Sequence, residues 1–232
     1  MKMRRMLSAG IGLVACGSLM LMTGCDLNDN DYVQPVVPVS YVSLYNASPD
    51  APDLNIVVDN RTINSQPFGY ADYTGYLPFY TGQRNIKFGP FGANNVAVDT
   101  VVHLVDNKVY SMFVVDEYDK ASVLVLDDSA AAPASGKAMI RFANLSPDAG
   151  TIHVKVKDQS ELGSGEAFKQ VSSFIEVDAT ITNFEVITDG ATPVTLQVPD
   201  VDIRAGRFYT FVVRGYKVPP AGSKRVLSAE VI

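Results

Sequence analysis

Apolar and polar residues along this chain fall into two patterns. From Met6 to Met22 the sequence is an apolar and small-residue run without a charge, preceded by Lys2, Arg4 and Arg5. Beyond it the pattern changes to short stretches of alternating apolar residues, such as Leu54, Ile56 and Val58, or Ile152, Val154 and Val156. A period of two belongs to a strand with one buried face, because successive side chains of an extended chain point to opposite sides. These stretches are rich in Val, Ile, Phe and Tyr and are punctuated by Gly, Pro, Asn and Asp, while helical spacing is scarce. The spacing predicts an all-β protein of the sandwich kind.

The pattern occurs twice. Val42–Ala51 (VSLYNASPDA) reappears as Ile140–Ala149 (IRFANLSPDA), an offset of 98 residues. At that offset Leu54, Ile56 and Val58 fall on Ile152, Val154 and Val156, and Ile86 and Phe88 fall on Phe184 and Val186. With the offset slipped to 99, Leu104, Tyr110 and Phe113 fall on Ile203, Tyr209 and Val212. Two long repeats are too few for a solenoid. They predict two tandem immunoglobulin-like or transthyretin-like β-sandwich domains, at 40–128 and 138–232, joined by a small-residue linker at 129–137. Asp106-Asn107 and Ala205-Gly206 each set a tight turn shortly before Tyr110 and Tyr209. That arrangement is similar to the tyrosine corner, in which the hydroxyl ties back to upstream backbone.

The Asn-x-Ser-Pro-Asp-Ala segments (Asn46–Ala51 and Asn144–Ala149), the alternating strand after each, and the late turn-then-Tyr strand together carry a family resemblance. They resemble the domain-of-unknown-function family 4397, here in tandem and over nearly all of residues 40–232. The resemblance implies an exported bacterial protein, often a lipoprotein; it brings no established activity and no catalytic residues. The second repeat departs from the first in having Gly150 where the first has Pro52.

The start of the chain has the layout of an export signal, basic residues followed by an apolar run. A membrane-spanning helix needs about 20 predominantly apolar residues, and this run is diluted by Ser8, Gly10, Gly12, Gly17 and Ser18. Leu21-Met22-Thr23-Gly24-Cys25 resembles a bacterial lipobox, which implies cleavage between Gly24 and Cys25 and lipid attachment to the Cys25 sulfur. Cys16, after Leu13-Val14-Ala15, is the alternative; length and the polar switch at Asp26 favour Cys25. Residues 1–24 are then a signal peptide and 25–39 a tether kept extended by Pro35 and Pro38. Asp26, Asp29 and Asp31 resemble the acidic signal that sends some lipoproteins to the cell surface. The expected location is the outer membrane, lipid-anchored, facing either the periplasm or the exterior.

Charge narrows the partners. Loss of residues 1–24 removes three basic residues and no acidic ones, moving the formal charge from −6 to −9. Such a domain is a poor nucleic-acid binder. Beyond Cys25 there is no cysteine, so no disulfide is expected.

Candidate chemistry is thin. Ser48 and Ser146 stand beside Asp50 and Asp148, but Pro at the second turn position and Asp at the third are ordinary turn chemistry. His103 and His153, one per repeat, fall on the solvent side of their strands and make neither a triad nor a closed metal site. An Asp/Asn calcium loop beginning at Asp26 would need Gly at 31 and Glu at 37, where the chain has Asp31 and Val37. No phosphate, dinucleotide or hydrolase fingerprint occurs, so no catalysis, metal or cofactor is expected. Tyr70, Tyr73, Tyr76 and Phe79 fall opposite Phe168, Val171, Phe174 and Val177, which predicts packing positions; Tyr80 falls opposite Asp178 and is the candidate ligand contact. Asp128-Ser129-Ala130 matches a short O-glycosylation pattern with Ser129 in the linker, and Asp99-Thr100-Val101 matches it inside an expected strand. The sequence thus points to a lipid-anchored, non-catalytic envelope module for binding or structure, in adhesion or envelope assembly. The alternative is an accessory carbohydrate-binding surface lipoprotein; the ligand, glycan or protein, is left open.

Overall fold

The alternating stretches are strands, each burying the face that its apolar residues define. The computed structural model describes residues 37–232; Cys16, Gly24, Cys25, Asp26, Asp29 and Asp31 lie outside the described residues. The first repeat contributes β1 (Val39–Asn46), β2 (Leu54–Val58), β3 (Arg61–Thr62), β4 (Tyr73–Tyr80), β5 (Gly82–Pro90), β6 (Val98–Leu104), β7 (Val109–Val115) and β8 (Ser122–Asp127). The second contributes β9 (Lys137–Asn144), β10 (Ile152–Val156), β11 (Glu161–Glu166), β12 (Ile175–Asp178), β13 (Phe184–Thr188), β14 (Thr195–Val198), β15 (Phe208–Arg214) and β16 (Ser228–Val231).

Both repeats order these strands alike. The first pairs β4-β1-β7-β8 in one sheet and β3-β2-β5-β6 in the other; the second pairs β12-β9-β15-β16 and β11-β10-β13-β14. Neighbours are antiparallel except β1 with β7 and β9 with β15, which run parallel. In an immunoglobulin sandwich the first strand shares a sheet with the second. Here the first strand lies between the fourth and the seventh and the second is in the opposite sheet, the transthyretin-like form of the expected fold. Val42 sits opposite Tyr110 and Ile140 opposite Tyr209, so the slip from 98 to 99 falls between the first and seventh strands.

Each sandwich has its own core. Val42, Leu44, Ile56, Ile86, Phe88 and Met112 fill the first, and Ile140, Phe142, Val154, Phe184, Val186 and Phe211 the second. A third apolar cluster joins them: Tyr45, Ala47, Phe113 and Val115 from the first repeat meet Ala143, Leu145 and Val212 from the second. The outward faces of β1 and β7 therefore pack on the outward faces of β9 and β15. Strands covered on both sides lose the alternation of exposure, and β1 is buried at every position from Val42 to Asn46. Full burial of side chains the size of Phe113 or Val212 contributes roughly 1.5–3 kcal/mol each. The repeats are thus fused through a shared core as well as joined by their linker.

The Ser-Pro-Asp segments are the turns that the sequence predicts. Asn46 Oδ1 accepts the Ser48 N–H at 3.1 Å, and Asn144 Oδ1 accepts that of Ser146 at 3.2 Å. Their amides reach across to carbonyls at matching places, Phe68 in the first repeat and Glu166 in the second. Asp50 accepts the Tyr118 N–H, and Asp148 accepts those of Lys217 and Val218, so each turn is tied to the chain just after the seventh strand. That chain needs a left-handed residue in both repeats, Asp116 (φ 79°) and Gly215 (φ 82°). The tyrosine tie is present as well: Tyr110 Oη accepts the Val105 N–H at 3.4 Å, and Tyr209 Oη that of Arg204 at 3.0 Å.

Candidate functional site

The shared face is apolar over much of its extent and polar at one end, and there it opens into a cleft of about 580 Å³. The strand pair β1–β7 brings Ser43 opposite Ser111, with their hydroxyl oxygens 3.0 Å apart. The matching pair β9–β15 brings Arg141 opposite Thr210, and Arg141 Nε donates to Thr210 Oγ1 at 3.0 Å. Repetition thus places an arginine where the first repeat has a serine, facing the other sandwich.

Arg141 is buried, only 4% exposed, and Asp128 compensates it. Its Nη2 donates to Asp128 Oδ1 at 2.5 Å, with both side chains almost fully covered. The other carboxylate oxygen accepts from Ser111 Oγ at 2.7 Å and from Tyr76 Oη at 2.8 Å. Phe174 lies over the guanidinium, 4.7 Å from its carbon to the ring centroid, an arrangement favoured by the negative face of the ring. Phe174 meets Phe208 edge-on at 5.7 Å. Burial, and then the Asp128 carboxylate beside it, hold the Tyr76 hydroxyl well above the usual tyrosine range. Burial also raises that of Tyr73. Arg141 Nη1 has no hydrogen-bond partner among the described residues. The cleft can therefore offer a fixed donor, hydroxyls and ring faces to a ligand.

Tyr73 and Tyr76 line this cleft and are 41% and 48% exposed. This corrects their reading as packing positions. They are aromatic or apolar in both repeats because β4 and the segment entering β12 both face the cleft, where Tyr76 and Phe174 are counterparts. Phe79, on the other face of β4, is buried as expected, and Tyr70 is half-buried beneath Arg214 and Arg225. Tyr80 is 62% exposed at the end of β4, opposite Val39, and is not among the residues lining the cleft.

The remaining candidates scatter. Ser48 and Ser146 are wholly buried, and Ser146 Oγ donates to the Gly215 carbonyl at 2.6 Å. His103 is exposed on β6. His153 stands between Glu161 at 2.6 Å and Asp189 at 3.2 Å, and the hydrogen bond to Glu161, helped by Asp189, raises its pKa. Thr100 is in β6. Ser129 is exposed, follows β8 and lines the mouth of the cleft, with Lys108 Nζ 3.1 Å from its hydroxyl. Among the described residues no group of three or more His, Cys, Asp or Glu could hold a metal ion, and no helix is long and apolar enough to cross a membrane.

Sequence reasoning missed Arg141 and Asp128. An arginine inside the apolar segment Ile140–Asn144, at the position of Ser43, is the signal that the sequence offers; Asp128 stands out there only as part of a glycosylation pattern.

The model of a family described as "Domain of unknown function (DUF4397)" matches residues 40–155, the first sandwich and the second as far as β10. No curated protein matches the chain. Two solved structures are similar at low identity. One is a leucine-rich repeat protein from Bacteroides thetaiotaomicron, 12% identical with a TM-score of 0.19, over 79% of this chain and 26% of that one. The other is CBMbc (family CBM26) from Eubacterium rectale Amy13K in complex with maltoheptaose, 11% identical with a TM-score of 0.25, over 83% of this chain and 96% of that one. This chain thus spans about a quarter of the length of the first and nearly all of the second.

Proposed function

The chain belongs to the DUF4397 family, and on that premise we propose that it is a non-catalytic binding module of the cell envelope, held to the outer membrane by lipid on Cys25. The observation that carries the binding reading is the cleft between the two sandwiches. It has exposed Tyr73, Tyr76 and Phe208 around a buried, fully built polar floor, and recognition sites combine rings that contribute area with a few fixed polar groups. The serines that could have suggested hydrolysis are sealed inside turns. The anchor reading is supported by the basic start, the uncharged run and the Leu21–Cys25 segment. Several acyl chains on one residue would hold the protein firmly, since each buried CH₂ contributes about 0.8 kcal/mol. A carbohydrate ligand is the second reading, favoured by the exposed ring faces.

Fractionation and protease treatment of intact cells test the anchor. The wild type is expected in the outer membrane and Cys25→Ala in the soluble fraction. Digestion from outside that is lost when Asp26, Asp29 and Asp31 are changed to Ala would put the module on the surface; protection of the wild type would put it in the periplasm. Membrane retention of Cys25→Ala would contradict the proposal and move the anchor to Cys16 or to an uncleaved apolar run.

A further inference from the structure

We infer that the cleft between the sandwiches binds a carboxylate-bearing saccharide, such as a uronic-acid oligosaccharide, with Arg141 and Arg207 meeting the carboxylate and Phe208 and Tyr73 the sugar rings. The inference rests on the reading of the cleft as a binding site and adds the class of ligand.

Charge is the first ground. The protein is acidic as a whole, yet the side chains lining this cleft include two arginines and one carboxylate. Asp128 is used up by Arg141, Ser111 and Tyr76. Arg207 stands exposed at the rim and has no ion-pair partner among the described residues. The floor thus keeps Arg141 in place and neutralised, with one nitrogen unused, while the rim keeps a whole guanidinium available. Guanidinium groups match carboxylates in shape and charge, and charge-assisted hydrogen bonds are about twice as strong as neutral ones.

Ring exposure is the second ground. Phe208 (41%) and Tyr73 expose apolar area at the opening, while Phe174 is committed to covering Arg141. Flat rings beside hydroxyls and guanidinium groups suit the alternating apolar faces and polar edges of a sugar. A peptide that adds itself to a sheet as a further strand is recognised through a free strand edge. Here the recognising groups are side chains on the broad faces of two sheets.

The test uses full-length protein in detergent and an array of hyaluronan and polygalacturonate oligosaccharides, each paired with its form in which the carboxyl groups are reduced to alcohols. A panel of matrix proteins, fibronectin and collagen, is run beside it. Binding of the acidic forms is expected, at least tenfold weaker for the reduced forms and at least tenfold weaker in Arg207→Gln and in Phe208→Ala. Both substitutions are at exposed positions, and an unchanged melting temperature confirms the fold. Equal binding of acidic and reduced forms, or binding indifferent to both substitutions, overturns the inference. Binding of a matrix protein alone, lost in Phe208→Ala, overturns the saccharide and leaves the binding module standing. Absence of binding to both classes overturns the inference and counts against the cleft as a site.

Discussion

At the residue scale the arrangement turns on one ion pair in an unusual place. Arg141 and Asp128 are both nearly sealed from solvent, and burying a charge is costly unless it is paired and hydrogen-bonded. Here both partners are engaged: Arg141 by Asp128, Thr210 and the Phe174 ring, with Nη1 left over, and Asp128 by Arg141, Ser111 and Tyr76. Removing one partner strands the other. Asp128→Ala is therefore expected to destabilise the protein by about 3–5 kcal/mol in urea unfolding. The double variant Asp128→Ala/Arg141→Met should cost clearly less than the sum of the two single changes, since it leaves no stranded charge. A loss under about 1 kcal/mol for Asp128→Ala, on the scale of an exposed pair, would show that this pair is not the floor of the site. None of this was legible in the sequence. An arginine next to apolar residues in a strand reads as the solvent side of an alternation, and only the second sandwich turns that side into an interior.

At the element scale the repeated turn explains why the Asn-x-Ser-Pro-Asp pattern recurs. Asn46 and Asn144 hold the turn backbone, and Asp50 and Asp148 hold the chain that leaves the seventh strand. This much was legible, because turn residues act on backbone a few positions away. The serines differ between repeats. Ser146 Oγ donates to the Gly215 carbonyl, whereas Ser48 Oγ is buried without a partner. Ser146→Ala should therefore cost about 1–3 kcal/mol, the penalty for leaving a buried acceptor unsatisfied. Ser48→Ala should be neutral or slightly stabilising. Thermal unfolding of the two variants checks this, and equal losses would contradict it. The strands beside these turns were legible for the same local reason, from Leu54–Val58 and Ile152–Val156 alternating as they do. The rank of β4 was not: its residues Tyr73 and Tyr76 share an apolar character with the second repeat, and apolar in both repeats is equally the mark of a core and of a common cleft.

At the scale of the whole molecule the duplication is more than two beads on a string. The first-strand and seventh-strand faces of both repeats close on each other through Tyr45, Phe113, Ala143 and Val212, and the cleft exists only because both contribute to it. The repeats themselves could be read from spacing, since an offset of 98 residues is visible in the sequence. Their docking could not, because Ser43, Tyr45, Arg141 and Ala143 carry no shared signature of an interface. The most direct test of this central claim is hydrogen exchange of the full-length protein in detergent along a urea series, read peptide by peptide. Core strands β2, β5, β10 and β13 are expected to lose protection at a single urea concentration, and Phe113→Ala should lower that midpoint in both repeats alike. Two separate midpoints, with Phe113→Ala moving only the first, would mean that the sandwiches stand independently and that the cleft between them is not a built site.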